Sequence, residues 1–266
     1  MAFEKITFEI DGDLALISFN DPATMNACGV DTADELLTAL ERAGNQARAT
    51  ILTGTGRGFC SGANLGSAGP RESKSDRETR QFDAGAALDA VYNPLIKAMH
   101  THPHPLITAV NGAAAGVGCS IALMGDLVVC AESAYFLQAF GRIGLVPDGG
   151  STYILPRLIG RARAAEMVLL ADKVPAQQAL DWGMVNRVVP DDQLMGEARS
   201  LAERLSQGPT RALELSRKLL RESADSTLDE MLQAERLAQR TAGRTKDFAE
   251  GVDAFLNKRK AVFTGE

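Results

Sequence analysis

The feature that most constrains this chain is a change of period near residue 190. Before it, short apolar runs bounded by glycine alternate with helical patterns; after it, every segment has helical spacing. Strands interleaved with helices require a mixed α/β core, and a purely helical tail then has little sheet left to cover. "FEKITFEI" and "LALISFN" flank "DGD" with alternating apolar residues, which predicts an antiparallel hairpin. "DTADELLTALERA" follows with helical spacing behind an Asp-Thr cap, and "RATILTG" reads as a short buried strand. The same alternation continues through a helical pattern at 83–99 and the strand "PLITAVNG", then a small-residue turn into a helix at "GAAAGVGCSIALMGD" and the strand "LVVCAE". Four helices are predicted in the tail, within "QLMGEARSLAERLSQ", "GPTRALELSRKLLRES", "STLDEMLQAERLAQRTAG" and "KDFAEGVDAFLNKRKAVF".

Composition narrows the functional classes. A net charge of −6 over 266 residues, with no basic stripe, argues against a nucleic-acid-binding surface. No apolar run approaches the roughly 20 residues that span a bilayer, and the alternating, charged N-terminus is unlike a targeting peptide, so a cytoplasmic protein is expected. Cys28, Cys60, Cys119 and Cys130 form no CxxC pair and read as small buried hydrophobes. His100, His102 and His104 alternate in "HTHPHP"; a metal site is conceivable there, but a proline-rich loop entering a strand is the simpler reading, and no metal site is assigned. Lone Trp182 is most simply a core or boundary residue.

Three glycine turns follow strands: "TGTGRGFCSGANL", "NGAAAGVGCSIAL" and "VPDGGST". Such turns expose backbone N–H groups to a phosphate or an oxyanion, or serve only close packing. None matches GxGxxG or a P-loop, and no GxSxG elbow accompanies the histidines. Within "IGLVPDGGSTYILPRLIG", Asp148 is open to two readings, a cap of the following helix or a reactive carboxylate.

Taken together, "RGFCSGANL", the run from "PLITAVNGAAAGVG" to "PDGGSTYILPRLIG", and "ALDWGMVNRVV" resemble the crotonase (enoyl-CoA hydratase/isomerase) superfamily. The likeness runs from the N-terminal hairpin and the "MNA" at Asn26 to "FLNKRKAVF". "QAFGRIGLVPDGGSTYILPRL" is most similar to the 2-(1,2-epoxy-1,2-dihydrophenyl)acetyl-CoA isomerases. The resemblance implies an α/β fold, a crotonase-type spiral of ββα units over residues 1–200 that holds an acyl-CoA site, and a helical C-terminal region at 201–266. It also implies assembly as a homotrimer or a dimer of trimers. The partner is an acyl-CoA thioester acting as substrate, and no cofactor is implied. By position, the two N–H groups that hold the thioester oxygen are those of Ala63 and Val117.

Hydratases of this superfamily use two glutamates, and the matching positions here are Ser120 and Phe140. Neither can exchange a proton as a carboxylate does, so efficient hydration is disfavoured. Asp148 matches the catalytic aspartate of the ring-epoxide and dienoyl-CoA isomerases, and one carboxylate suffices to move a proton from one carbon to another. An apolar acyl pocket that includes Ser120, Phe140 and Leu145 should raise its pKa. The same position is the nucleophile of 4-chlorobenzoyl-CoA dehalogenases, which leaves covalent attack as an alternative, although Ala63 stands where aromatic bulk is expected. Weak hydratase activity and a non-catalytic acyl-CoA-binding or RNA-binding role are further alternatives. For CoA, the resemblance points to Ala63, Asn64 and Leu65, and at the C-terminus to Phe255 and Lys258; a solvated KRK run is the plainer reading of the latter. Asn64 replaces the frequent Asp of this turn. The charged stretch at 71–80 reads as a lid over the acyl chain or as a surface loop.

Overall fold

The computed structural model describes residues 3–64 and 85–266. The predicted hairpin is formed by β1 (Ile6–Asp11) and β2 (Leu14–Phe19), paired antiparallel, with Gly12 at φ +58 in the turn. From β2 the sheet grows in parallel through β3 (Ala49–Gly54), β5 (Leu106–Val110), β7 (Leu127–Ala131) and β10 (Arg187–Val189), giving the order β1-β2-β3-β5-β7-β10. Sequence reading passed over a second sheet. Two of its strands, β4 (Gly58–Cys60) and β6 (Ala113–Ala115), lie inside glycine turns, and β8 (Tyr135–Leu137) follows β7; they join β9 (Val174–Pro175) in the order β4-β6-β8-β9. At three residues each they are too short to show a period, and the "AAA" of β6 is also low in β propensity. Successive units therefore send one strand to each sheet, as the expected spiral requires.

Helix α1 (Val30–Gln46) buries Ala33, Leu36, Leu40 and Ala43, a spacing that keeps one face on the sheet. It begins earlier than the predicted Asp-Thr cap: Gly29 is the N-cap, and Asp31 and Thr32 lie within the first turn. Asp31 thus faces the positive helix end without capping it. The helices α2 (Asn93–His100) and α3 (Val117–Ala122) follow, and then α4 (Ser151–Leu170), which is broken at Gly160 (φ +74). Next come α5 (Ala176–Asp181) and α6 (Leu194–Ser206), whose buried face, Leu194, Ala198, Leu201 and Ala202, packs on β3, β5 and β7. Residue 200 therefore lies within a helix that covers the main sheet.

The remaining helices, α7 (Thr210–Glu222), α8 (Leu228–Ala242) and α9 (Lys246–Leu256), fall where helical spacing places them. The α8 start carries a reciprocal capping box between Thr227 and Glu230. Arg217 of α7 is buried and donates to Asp126 at 2.6 Å and to the His102 carbonyl, and Asp126 also accepts from the Leu106 N–H at 2.7 Å. A buried charge with its partners supplied at the head of β5 fixes where α7 sits. Leu220, Leu228, Phe255 and Leu256 are exposed apolar residues on these helices. No helix of the described residues is long and apolar enough to cross a membrane.

The four cysteines are buried, and burial pushes the Cys119 thiol up to about 12. The histidines do not converge on a common point: His102 Nε2 meets Thr50 Oγ1 at 3.1 Å, while His104 Nε2 meets the Gly44 carbonyl at 3.1 Å.

Candidate active site

Three turns meet at the end of the small sheet. The first leaves β4 through Ser61, Gly62 and Ala63; the second joins β6 to α3 through Gly116 and Val117; the third is Asp148, Gly149 and Gly150 ahead of α4. Glycine is needed where they touch. A Cβ on Gly62 (φ +104) would lie 3.0 Å from the Ala115 carbonyl, and one on Gly118 would lie 2.3 Å from the Cys60 carbonyl, so the first two turns are in main-chain contact. A Cβ on Gly149 (φ +60) would lie 2.8 Å from Ser120 Cβ and 3.2 Å from Val117 Cγ2, which places the Asp148 turn against α3. The Phe140 ring closes over Gly116, 3.8 Å from where its Cβ would be.

The backbone donors follow from peptide geometry. In a trans peptide the carbonyl of one residue and the N–H of the next point opposite ways. The Gly62 carbonyl accepts from the Cys28 N–H at 2.8 Å, which turns the Ala63 N–H to the other side. The Gly116 carbonyl accepts from Cys119 N–H at 3.0 Å and Ser120 N–H at 3.3 Å, which does the same for Val117. Among the described residues neither the Ala63 nor the Val117 N–H has an acceptor, whereas the Gly116 N–H is taken by the Leu137 carbonyl and the Ser61 N–H by that of Met25. Val117 opens α3, where the first amides have no intrahelical carbonyl to meet. Ala63 itself is exposed and Val117 buried.

Asp148 does not cap the helix. The α4 N-cap is Gly150 at φ +78 with no side-chain bond, and it is the Asp148 main-chain carbonyl that takes the Ser151 N–H at 3.1 Å. That carbonyl also accepts from Ser151 Oγ at 2.9 Å and Ser120 Oγ at 3.0 Å; the two hydroxyls are 2.6 Å apart, and Gln138 Nε2 donates to Ser151 Oγ at 3.0 Å. The carboxylate is left over. Its Oδ1 is buried with no hydrogen-bond partner, the only carboxylate oxygen in that position among the described residues. Withdrawal from water without a compensating donor raises its pKa from 3.8 to about 6.

The other residues singled out from sequence are placed as follows. Ser120 is fully buried, and its hydroxyl is spent on the Asp148 backbone. Phe140 is buried, and Leu145 stands 43% exposed. Asn64 is half-buried beside Ala63, and Leu65 lies outside the described residues, as does the 71–80 stretch. Phe255, 82% exposed, and Lys258 lie at the far end of α9. The tail beyond them is strapped to Arg48, which donates to the Phe263 and Gly208 carbonyls and to Thr210 Oγ1 at the start of β3. Sequence reading missed Ser151, Gln138 and Tyr92, whose hydroxyl donates to the Cys28 carbonyl at 2.7 Å. A hydroxyl or amide acting on backbone leaves no spacing signal.

The fold and these turns define a class, and comparison with known proteins agrees. The enoyl-CoA hydratase/isomerase family matches residues 9–266, and the chain belongs to that family. Among curated relatives, a protein of Rhodobacter capsulatus named "Probable enoyl-CoA hydratase" is 41% identical over 100% of both chains. The 1,2-epoxyphenylacetyl-CoA isomerase of Escherichia coli is 39% identical over 99% of both chains. Among solved structures, an enoyl-CoA hydratase from Polaromonas sp. JS666 is 31% identical, covers 97% of this chain and 99% of its own, and superposes with a TM-score of 0.88.

Proposed function

We propose that this enzyme isomerises unsaturated acyl-CoA thioesters by proton transfer through Asp148. The observation that carries this reading is the buried, unpartnered Asp148 Oδ1 on a turn packed against Val117, where two neighbouring turns carry backbone N–H groups without acceptors. With a pKa near 6 the carboxylate is ionised at neutral pH yet basic enough to take a proton from carbon. The thioester oxygen sits between the Ala63 and Val117 N–H groups, which stabilise the charge that develops there. Asp148 removes a proton at one carbon, the electrons move into a conjugated enolate, and the same carboxylic acid returns the proton at another carbon. Positions 120 and 140 offer a serine committed to backbone and a phenylalanine, so neither supplies a second acid/base group to deliver water.

Likeness to the 1,2-epoxyphenylacetyl-CoA isomerase supports a ring-bearing acyl group, with the Phe140 side of the pocket facing it. Asn64 and Leu65 would line the CoA path, and Phe255 and Lys258 would reach CoA in a neighbouring subunit of a trimer or a dimer of trimers. No cofactor enters the scheme. The test is incubation with 2-enoyl and 3-enoyl thioesters in deuterated water: double-bond migration with deuterium incorporation is expected. Absence of both, or full activity of Asp148→Asn, overturns the assignment. Hydration is the second reading, favoured by the name of the Rhodobacter relative; loss of enoyl absorbance with formation of a hydroxyacyl product as the main reaction would establish it.

A further inference from the structure

The Ala63 amide is aimed by a segment that contains no catalytic group. Met25 to Cys28 runs alongside the first turn and is joined to it by two main-chain hydrogen bonds, Ser61 N–H to the Met25 carbonyl at 3.0 Å and Cys28 N–H to the Gly62 carbonyl at 2.8 Å. Because the Gly62 carbonyl and the Ala63 N–H share one rigid peptide plane, whatever fixes Cys28 also fixes the direction of that N–H. Two side chains do so. Tyr92 is buried at the end of a π-helical turn (Leu88–Tyr92) and donates to the Cys28 carbonyl at 2.7 Å. Such widened turns recur where a helix must present one side chain to a site. Asn26, only 1% exposed, donates from Nδ2 to the Thr55 carbonyl at 2.8 Å and the Gly58 carbonyl at 2.7 Å, and its Oδ1 accepts from the Asp21 N–H at 2.9 Å. These three bonds hold Met25 and Asn26 at φ +53 and +59, a left-handed pair that non-glycine residues adopt only under constraint.

We propose that Tyr92 and Asn26 are positioning residues of the reaction, which act through the main chain of Cys28 to hold the Ala63 N–H in line with the thioester oxygen. This rests on the oxyanion role given to Ala63 above. Neither side chain touches the reacting atoms. Burial, with the Asp148 carboxylate nearby, keeps the Tyr92 hydroxyl protonated well above the usual range, so it donates throughout the working pH.

The test uses the whole enzyme with an aryl-conjugated enoyl thioester, cinnamoyl-CoA, whose absorbance moves to the red when its carbonyl is polarised. The wild type should show that shift, and Asp148→Asn should keep it while losing turnover, which separates the oxyanion site from the base. Tyr92→Phe should show a smaller red shift and a kcat lower by about tenfold, with KM and the affinity for cinnamoyl-CoA within about twofold. Asn26→Gly tolerates the positive φ but loses all three side-chain bonds, and should behave alike; it decides the matter if Tyr92→Phe does not fold. Both variants keeping the full red shift and kcat would overturn the proposal. So would a loss that appears only together with loss of near-ultraviolet dichroism, since that marks a merely structural role. A wild type with no red shift removes the oxyanion reading itself and the proposal with it.

Discussion

Asp148 and His102 are both ionisable, both withdrawn from water, and both displaced in pKa, yet they are built for different ends. His102 is 3% exposed and its Nε2 is satisfied by Thr50, so desolvation drives its pKa down to about 3 and the imidazole stays neutral. It is a core residue with a polar edge. Asp148 has its main-chain carbonyl held three times over while Oδ1 holds nothing. A displaced pKa therefore does not mark a site; a displaced pKa on an atom whose partners have been withheld does.

The largest effect should come from filling that vacancy in chemistry without changing shape. Asp148→Asn keeps volume and the main-chain bonds but cannot take a proton, and isomerisation should fall by about 10²–10⁴-fold while substrate affinity persists. Steady-state kinetics with a binding measurement checks both, and a variant retaining a tenth of wild-type turnover would place the base elsewhere. Next in size is Ser120→Glu. Replacing serine by the carboxylate a hydratase carries here crowds Gly149, on which even a Cβ would lie 2.8 Å from Ser120 Cβ, and removes the hydroxyl that holds the Asp148 carbonyl. Overpacking of this kind costs about 1–3 kcal/mol, and a buried unpaired charge adds to it. The variant should melt lower, lose isomerisation and gain no hydration; a stable, hydrating Ser120→Glu would show that the two arrangements can share one backbone. Third, log kcat/KM should fall with unit slope below an apparent pKa of about 6, because the free enzyme must hold Asp148 ionised. An acid limb near 4 would mean that substrate meets a solvated carboxylate.

How much of this was legible depended on what each residue acts through. The hairpin, the strand and helix alternation and the four tail helices follow from periodicity, which burial enforces over many residues at once. The small sheet was not legible, because β4, β6 and β8 are three residues long, too short for alternation to show, and the alanines of β6 carry no strand signal. At the site, Ala63, Val117 and Asp148 could be marked because glycine turns and a lone carboxylate recur in recognisable order. Ser151, Gln138 and Tyr92 could not, since each acts on a backbone carbonyl or a hydroxyl brought close only by the fold. The choice between a capping and a free Asp148 likewise needed coordinates: the sequence "PDGGS" permits both, and the positive φ of two consecutive glycines carries the side chain past the helix end.

The smallest expected effect sharpens the contrast between the two buried groups, because their contributions to stability have opposite signs over one pH window. Asp148 titrates near 6 when folded against 3.8 when unfolded, so between those values the native state holds the extra proton and stability falls as pH rises. His102 titrates near 3 when folded against 6.5 when unfolded, so over the same window the unfolded state holds the extra proton and stability rises with pH. In the wild type the two slopes oppose each other between about pH 4 and 6. Asp148→Asn should unmask the histidine and steepen the rise, while His102→Gln, which can keep a bond to Thr50, should tilt the curve the other way. Each change relative to wild type is about 1 kcal/mol per pH unit, less than the full proton value because Asp148 is partly solvated. Denaturant titrations of the three proteins at several pH values within the window read it directly. Parallel curves would mean that both groups relax toward water as the chain breathes, and the distinction between a satisfied and a withheld buried group would lose its energetic basis.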